Sequence, residues 1–281
     1  MDSVTSRLRS VTQGHARSGG DLNVAIDVPG IGSVLCSRVI RAIAGKRLAC
    51  AGQGAQGKVI VKLYYSRRKA YLHWRKSDRG CRAFIERGIA APGIIFSGYV
   101  PAHDIYAMVL EYLEDASRLD SALADAMTQA QRADILGRVS AALAAHHDAG
   151  ILQQDLHLGN FMIGGGRVYS LDGDRVRLLR RPVDEVRSLE NLALFLSNVP
   201  YQDIGEIETC IDAYAQARGI DLGPRERMRV RKRSWRIRSE ALGAFMRKVL
   251  RSRDPFVARA DKGLFAVFDS RNTDVDFSVL V

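Results

Sequence analysis

The 281-residue sequence is short of cysteine, of acidic residues relative to basic ones, and of long apolar runs. Its four cysteines, Cys36, Cys50, Cys81 and Cys210, form no C-x-x-C pair, and their separations fit neither a zinc ribbon nor a disulfide framework. A reducing, cytosolic setting is the expectation. No apolar run approaches the roughly eighteen residues of a membrane helix, so any membrane contact would be peripheral. The opening MDSVTSRLRSVTQGHARSGG lacks the apolar centre of a secretory signal. Its Ser, Gly and Arg content predicts a loosely ordered extension, residues 1–33. Internal repeats and low-complexity blocks are absent. Acid is scarce: 31 Asp and Glu against 42 Lys and Arg leave a net charge of +11. That imbalance favours an anionic partner, whether nucleic acid, an anionic membrane surface or a phosphorylated substrate.

What is present is an ordinary globular composition, 47% hydrophobic and 26% charged, enough for one large domain or two lobes. SRVIRAIAG, KRLACAG and KVIVKLYY are short, mostly apolar and separated by glycines, so they read as strands. A helix is predicted over about 67–88, followed by a second strand pair, IIFSGYV and IYAMVLEYL. Residues 34–113 thus form a sheet-rich lobe with one helix. The part from 114 to 281 differs. Ser117 is a candidate cap for SRLDSALADAM. Ile135, Leu136, Val139 and Leu143 recur at helical spacing in a segment stopped by Gly150. FMIGG and RVYSLDG are short strand candidates, and the remainder from Pro182 reads as mainly helical. The expected class is α+β: an antiparallel sheet lobe, a hinge at 111–117 and a helical lobe, with the cleft between them as the ligand site.

GQGAQG, with Gly52, Gly54 and Gly57, matches G-x-G-x-x-G but precedes a β-branched run instead of a helix. A dinucleotide fold requires the helix, whose N-terminus faces the pyrophosphate. The motif is therefore read as the turn between two strands. A phosphate-covering hairpin belongs one strand earlier, near 42–46, where Gly45 is the glycine and Arg41, Lys46 or Arg47 could add charge.

The stretch QQDLHLGNFM carries the densest chemistry. Asp155 is followed five residues later by Asn160, and Asp172 comes seventeen residues after Asp155. Lys62 lies inside an otherwise mostly apolar strand, where a buried ammonium requires a partner. The order Lys…Asp-x4-Asn…Asp is the inventory of phosphoryl transfer. One carboxylate takes the proton of the attacking hydroxyl, a carboxylate and an amide oxygen hold Mg2+, and a lysine holds phosphate.

With these motifs the chain resembles the eukaryotic-type protein kinase fold and, more narrowly, the bacterial lipopolysaccharide core kinases that phosphorylate Kdo or heptose. The resemblance runs from about Arg38 to about Arg271. It is carried by KVIVKLYY, ERGIAAPGIIFSGY, MVLEYLEDASRL, AAHHDAGILQQDLHLGNFMI, VYSLDGDRVRL, NLALFLS and SRDPFVARADKGLFAVFDSR. It implies ATP and Mg2+ as cofactors, Asp155 as catalytic base, Asn160 and Asp172 as metal ligands, and Lys62 on the phosphates. It also implies His157 beside the transferring phosphate, the main chain of Glu111–Leu113 against adenine, and a helix acid pairing with Lys62, at Asp78 or else Glu86. The chain departs from the family at Gln153 and Gln154, where His-Arg or His-Gly is usual, and at Gly173, where a bulky residue follows the metal acid. Without the arginine, control by a phosphorylated activation loop is not expected.

Residues 224–256 hold twelve Lys and Arg against three Asp and Glu, interleaved with Trp235, Ile237, Leu242, Phe245 and Met246. A basic amphipathic face over 225–253 suits an acidic glycolipid such as the lipopolysaccharide core, met at the cytoplasmic face of the inner membrane. Nucleic acid is not the expected partner, because no stacking platform accompanies the charge. His146 and His147 close a helix, where a cation would favour the dipole. The alternatives are a kinase of the same fold acting on another small molecule or a protein, and a non-catalytic scaffold or nucleic-acid binder. The sequence leaves the oligomeric state open.

Overall fold

The computed structural model describes residues 20–200 and 204–249, the strands Phe256–Asp261 and Leu264–Asp269, and the single residues Val4, Ser6 and Leu8. It begins with a six-stranded antiparallel sheet of order β1-β2-β3-β4-β6-β5. The strands are β1 (Asp21–Val28), β2 (Gly32–Ile43), β3 (Arg47–Gly54), β4 (Gly57–Tyr64), β5 (Ile94–Val100) and β6 (Ile105–Glu111). Strand β1 corrects the expected extension at 1–33. Leu22, Val24, Ile26 and Val28 alternate inward and join the sheet core, so the sheet starts at Asp21, and Leu8 is buried in the same core. The period-two pattern was present in DLNVAIDV, but three polar residues among eight masked it. The GQGAQG motif is the β3–β4 turn, as expected, with Gly54 opposite Gly57.

The two faces of the sheet bury different things. Val59, Val61 and Leu63 of β4 face a core that includes Leu48, Cys50 and Val109. Ile60, Lys62 and Tyr64 face the other way, toward helix α1 (Ala70–Glu86). Alternation along one strand therefore sends Lys62 to the face that α1 covers.

The second part opens with β7 (Ala116–Arg118), α2 (Leu119–Asp125) and α3 (Gln129–Asp148). Ser117 lies within β7 and does not cap α2, whose N-cap is Arg118. Thr128 caps α3 in a full capping box with Gln131. Next come β8 (Ile151–Gln153), β9 (Phe161–Gly164), β10 (Arg167–Ser170) and β11 (Val176–Leu178). Helices α4 (Glu185–Asn198), α5 (Ile204–Arg218) and α6 (Pro224–Val249) follow. A final hairpin, β12 (Phe256–Asp261) with β13 (Leu264–Asp269), departs from the mainly helical expectation for this region. Helices α3, α4 and α5 share one core around Leu143, Phe195 and Tyr214. Within it Arg132 of α3 and Glu206 of α5 form a buried ion pair at 2.6 Å.

The lobes are tied together at the end of α1. Arg87 Nη1 lies within hydrogen-bonding distance of the Ala149, Gly150 and Leu179 carbonyls, at 2.6, 3.1 and 3.1 Å. Close by, the Ser170 amide donates to Ala90 O at 2.9 Å.

Candidate active site

The structure brings Lys62 to Asp172. The ammonium lies 3.6 Å from Asp172 Oδ1 and 3.3 Å from the Leu171 carbonyl. Burial would lower the Lys62 pKa. The Asp172 carboxylate, with smaller contributions from Cys81 and Tyr64, outweighs it and moves the pKa upward, so the lysine stays charged. This corrects the expected helix acid. Asp78 bonds instead to Arg82 one turn along α1, at 2.9 Å, and Glu86 is exposed. The residues that α1 buries are small: Ser77, Gly80, Cys81 and Ala83, besides Phe84. No acid of the helix pairs with the lysine; Asp172 serves as its counter-ion, and the helix lies close on the turn that carries it.

Gly173 explains that closeness. A Cβ on Gly80 would lie 2.6 Å from the Gly173 carbonyl carbon, and one on Gly173 would lie 2.6 Å from the Gly80 carbonyl carbon. The two backbones touch, and a side chain at either position would force α1 off the turn. The bulky residue that usually follows the metal acid has no room here.

The turn around Asp155 is held by backbone pairing. Strand β8 pairs with β11, Gln153 opposite Val176, and the Gln154 amide donates to Arg175 O at 3.0 Å. Asn160 Nδ2 donates to the Asp155 carbonyl at 2.7 Å. Because only the NH2 can donate to a carbonyl, the amide is oriented and Oδ1 faces away from that bond. The Leu171 amide donates to Asn160 O at 3.0 Å, which sets Asn160 beside the residue before Asp172. Two hard oxygen donors, the Asp172 carboxylate and Asn160 Oδ1, thus come from adjacent backbone segments, a donor set that fits Mg2+. Asp155 itself is half-buried. His157 is half-buried on the same turn, with its carbonyl accepting the Asn160 amide at 3.0 Å.

Gln153 now has a function. It is buried, and its Nε2 donates to the Asp172 carbonyl at 3.2 Å, tying the Asp155 turn to the Asp172 turn. Its own carbonyl accepts Asn191 Nδ2 at 2.8 Å. Asn191 Oδ1 therefore faces His147 Nε2, at 3.0 Å, which makes that nitrogen the donor; Nδ1 then accepts the Tyr214 hydroxyl at 2.7 Å. His146 Nε2 pairs with Ser170 Oγ at 2.9 Å. Both histidines are buried, which pushes their pKa values down, His146 to about 3 and His147 to about 4. They are neutral spacers behind the site, and the expected cationic role at the helix end does not apply.

The remaining expected residues lie around the cleft. Gly45 sits in the β2–β3 turn with φ of +65°, a conformation that favours glycine. The strands it joins line a small cavity with Lys62 and Asp172. The Glu111 amide donates to Gly93 O at 2.9 Å, and its carboxylate accepts the Gly93 amide at 3.1 Å. The Glu111 N–H is thus committed, and Leu113 lies beyond the last β4–β6 pair, Val59 with Glu111. Sequence reasoning missed Arg87, Gln153 as a tether, and Asp174, which forms an ion pair with Arg47. Only the D-G-D spacing could have signalled Asp174.

A sheet lobe with an inward lysine, one helix across it, and two paired turns bearing Asp155, Asn160 and Asp172 make the α+β arrangement expected from the sequence, an antiparallel sheet part followed by a mainly helical part. Two solved structures are similar. One is the PknI kinase domain of M. tuberculosis, at 14% identity and a TM-score of 0.40, covering 75% of this chain and 81% of that one. The other is a double mutant of the Mycobacterium tuberculosis PknI kinase domain, at 14% identity and a TM-score of 0.43, covering 75% and 99%. No protein-family model and no curated protein matches the sequence. The chemistry is read from the site's own geometry.

Proposed function

We propose that the protein is an ATP-dependent phosphotransferase with an alcohol as acceptor. The observation that carries this is the Lys62–Asp172 pair set beside Asn160, whose amide is locked on the backbone of Asp155. Asp155 takes the proton of the acceptor hydroxyl as its oxygen attacks the γ-phosphorus; the bond to the β-phosphate bridging oxygen breaks, giving ADP and a phosphomonoester. Lys62 sets positive charge against the phosphates, and Asn160 and Asp172 would hold Mg2+, which supplies further neutralisation of phosphate charge. Asp155→Asn is expected to fold and bind Mg·ATP as the parent does, with turnover falling by about three orders of magnitude or more. Turnover within tenfold of the parent would remove Asp155 from the role.

For the acceptor, our reading is a sugar hydroxyl of an acidic glycolipid, a Kdo or heptose of the lipopolysaccharide inner core. The sequence resemblance supports it, and so does helix α6. On that helix Met228, Trp235, Leu242 and Met246 are exposed at spacings that share one face. Arg225, Arg229 and Lys232 flank a groove of about 450 Å3 beside them. Not every arginine of the segment is free for a ligand. Arg227 and Arg231 pair with Glu208, Arg233 with Glu190, and Arg238 bonds to the Ser197 and Val199 carbonyls. Residues 250–253 of the basic stretch lie outside the described residues. Among the described residues no helix is long and apolar enough to cross a membrane. Contact by α6 with an anionic inner-membrane surface is part of the same proposal.

A further inference from the structure

The cavity beside Lys62 holds more charge than the phosphotransfer roles use. Arg41, Arg47 and Lys62 line it with Asp172, over Ile43 and Leu48. Its volume is about 50 Å3, room for one or two waters and far too little for a triphosphate. Nucleotide phosphates can enter this space only if its wall opens. The link across the wall is the ion pair between Arg47, the first residue of β3, and Asp174 of the metal turn. It joins the sheet lobe to the helical lobe directly over the site. The metal turn is compact: the Asp174 amide donates to Asp172 Oδ1 at 3.2 Å, so two carboxylates leave one short loop. While Asp174 Oδ2 is on Arg47, Oδ1 is buried and has no hydrogen-bond partner, an arrangement that disfavours the closed state.

We propose that Arg47 and Asp174 form a latch that nucleotide phosphate opens, with Arg47 exchanging the carboxylate for phosphate and Asp174 becoming a second carboxylate for the divalent cation beside Asp172. The exchange replaces one anion by another at Arg47, whose planar guanidinium matches either in a two-pronged geometry. The freed Asp174 gains what its Oδ1 lacks, a positive neighbour. Arg41 and Lys62 line the cavity with Arg47, so three cations face the incoming phosphate. No covalent bond is made or broken in the step. It couples the arrival of phosphate on the sheet lobe to completion of the metal ligands on the helical lobe.

This inference rests on the nucleotide reading of the site, and calorimetric binding of ATP, ADP and adenosine, each with and without Mg2+, separates the two. If the parent binds no ATP in Mg2+, the nucleotide reading falls and the latch with it. If the parent binds ATP, Arg47→Ala should weaken ATP and ADP about tenfold or more, roughly 1.4 kcal/mol, while adenosine changes less than about twofold. Asp174→Asn should do the opposite without metal, tightening ATP about threefold by releasing Arg47. The same variant should lose most of the gain in affinity that Mg2+ gives the parent. Arg47→Lys, which keeps the charge, should fall between parent and Arg47→Ala, and serves if the alanine variant does not fold. Unchanged ATP affinity in Arg47→Ala, or ATP and adenosine weakened alike, would overturn the latch and leave the nucleotide reading standing. Metal-free ATP binding weakened by Asp174→Asn would also overturn it.

Discussion

A methyl group separates glycine from alanine, and at positions 80 and 173 there is no space for one. The backbones of α1 and the Asp172–Gly173 turn meet there, and what a Cβ would strike is main chain, which cannot swing aside as a side chain can. Gly80→Ala should therefore lower stability by about 1–3 kcal/mol, read by denaturant unfolding, and should also weaken ATP binding as α1 lifts from Asp172. Gly88→Ala is a useful contrast. Its strain comes from a φ of +72°, and no atom lies within 4 Å of its Cβ, so it should lose stability without loss of nucleotide affinity. Equal ATP affinity in Gly80→Ala and the parent would show that the contact does not position the site. Gly173 and Gln153 are two of the three positions, with Gln154, at which the motif region departs from the resemblance. Both are accounted for by their neighbours: Gly173 by the helix lying on it, Gln153 by the Asp172 carbonyl it holds.

At the scale of elements, helix α3 is the pillar behind both turns. Its last two described histidines reach the β10 end through Ser170 and the Asp155 turn through Asn191 and Gln153. Burial sets their folded pKa values at about 3 and about 4, below the 6.5 of a free histidine. The unfolded chain then binds more protons between these values, so stability is full above about pH 6.5 and is lost as pH falls toward 4. Each histidine contributes up to about 3 kcal/mol across that window. His146→Gln with His147→Gln should flatten the fall in thermal midpoint between pH 6.5 and 4 relative to the parent. A pH profile parallel to the parent's would assign the acid sensitivity elsewhere. The existence of α3 was plain in the apolar spacing of Leu136, Val139 and Leu143. That its histidines are neutral was not, because a sequence shows nothing of what packs on them, Ser170 and Phe84 on His146 and Asn191 and Tyr214 on His147.

For the whole molecule, the question is what meets α6. The helix turns Arg227, Arg231 and Arg233 toward acids on α4 and α5, and leaves Trp235 66% and Leu242 58% exposed beside Arg225, Arg229 and Lys232. Vesicles containing anionic phospholipid should bind the protein and shift Trp235 fluorescence to the blue, and neutral vesicles should do neither. The binding should fall steeply toward about 0.5 M salt, where screening shortens to a few ångströms. Replacing Arg225, Arg229 and Lys232 with Gln should reduce vesicle binding and leave ATP affinity unchanged. Equal binding to both kinds of vesicle would remove the electrostatic part of the proposal. Sequence alone could not divide these cations. All twelve look alike in a run, and only the packing of α6 on its neighbours separates ion-paired arginines from those that face outward.

By itself the sequence determined the element types over most of the chain, the α+β class, and the four residues of the site at their spacing. Those follow from local rules: alternation in strands, helical periodicity, glycine at turns, and the few side chains that phosphoryl transfer accepts. Tertiary structure alone decided which acid stands opposite Lys62, why position 173 has no side chain, what Gln153 holds, and which acid pairs with Arg47 beside the Lys62 cavity. These are contacts between segments as much as 127 residues apart, Arg47 to Asp174, and they depend on how closely two lobes approach. Distance along the chain carries no information about that approach, because it is set by the volume left where the helix meets the turn.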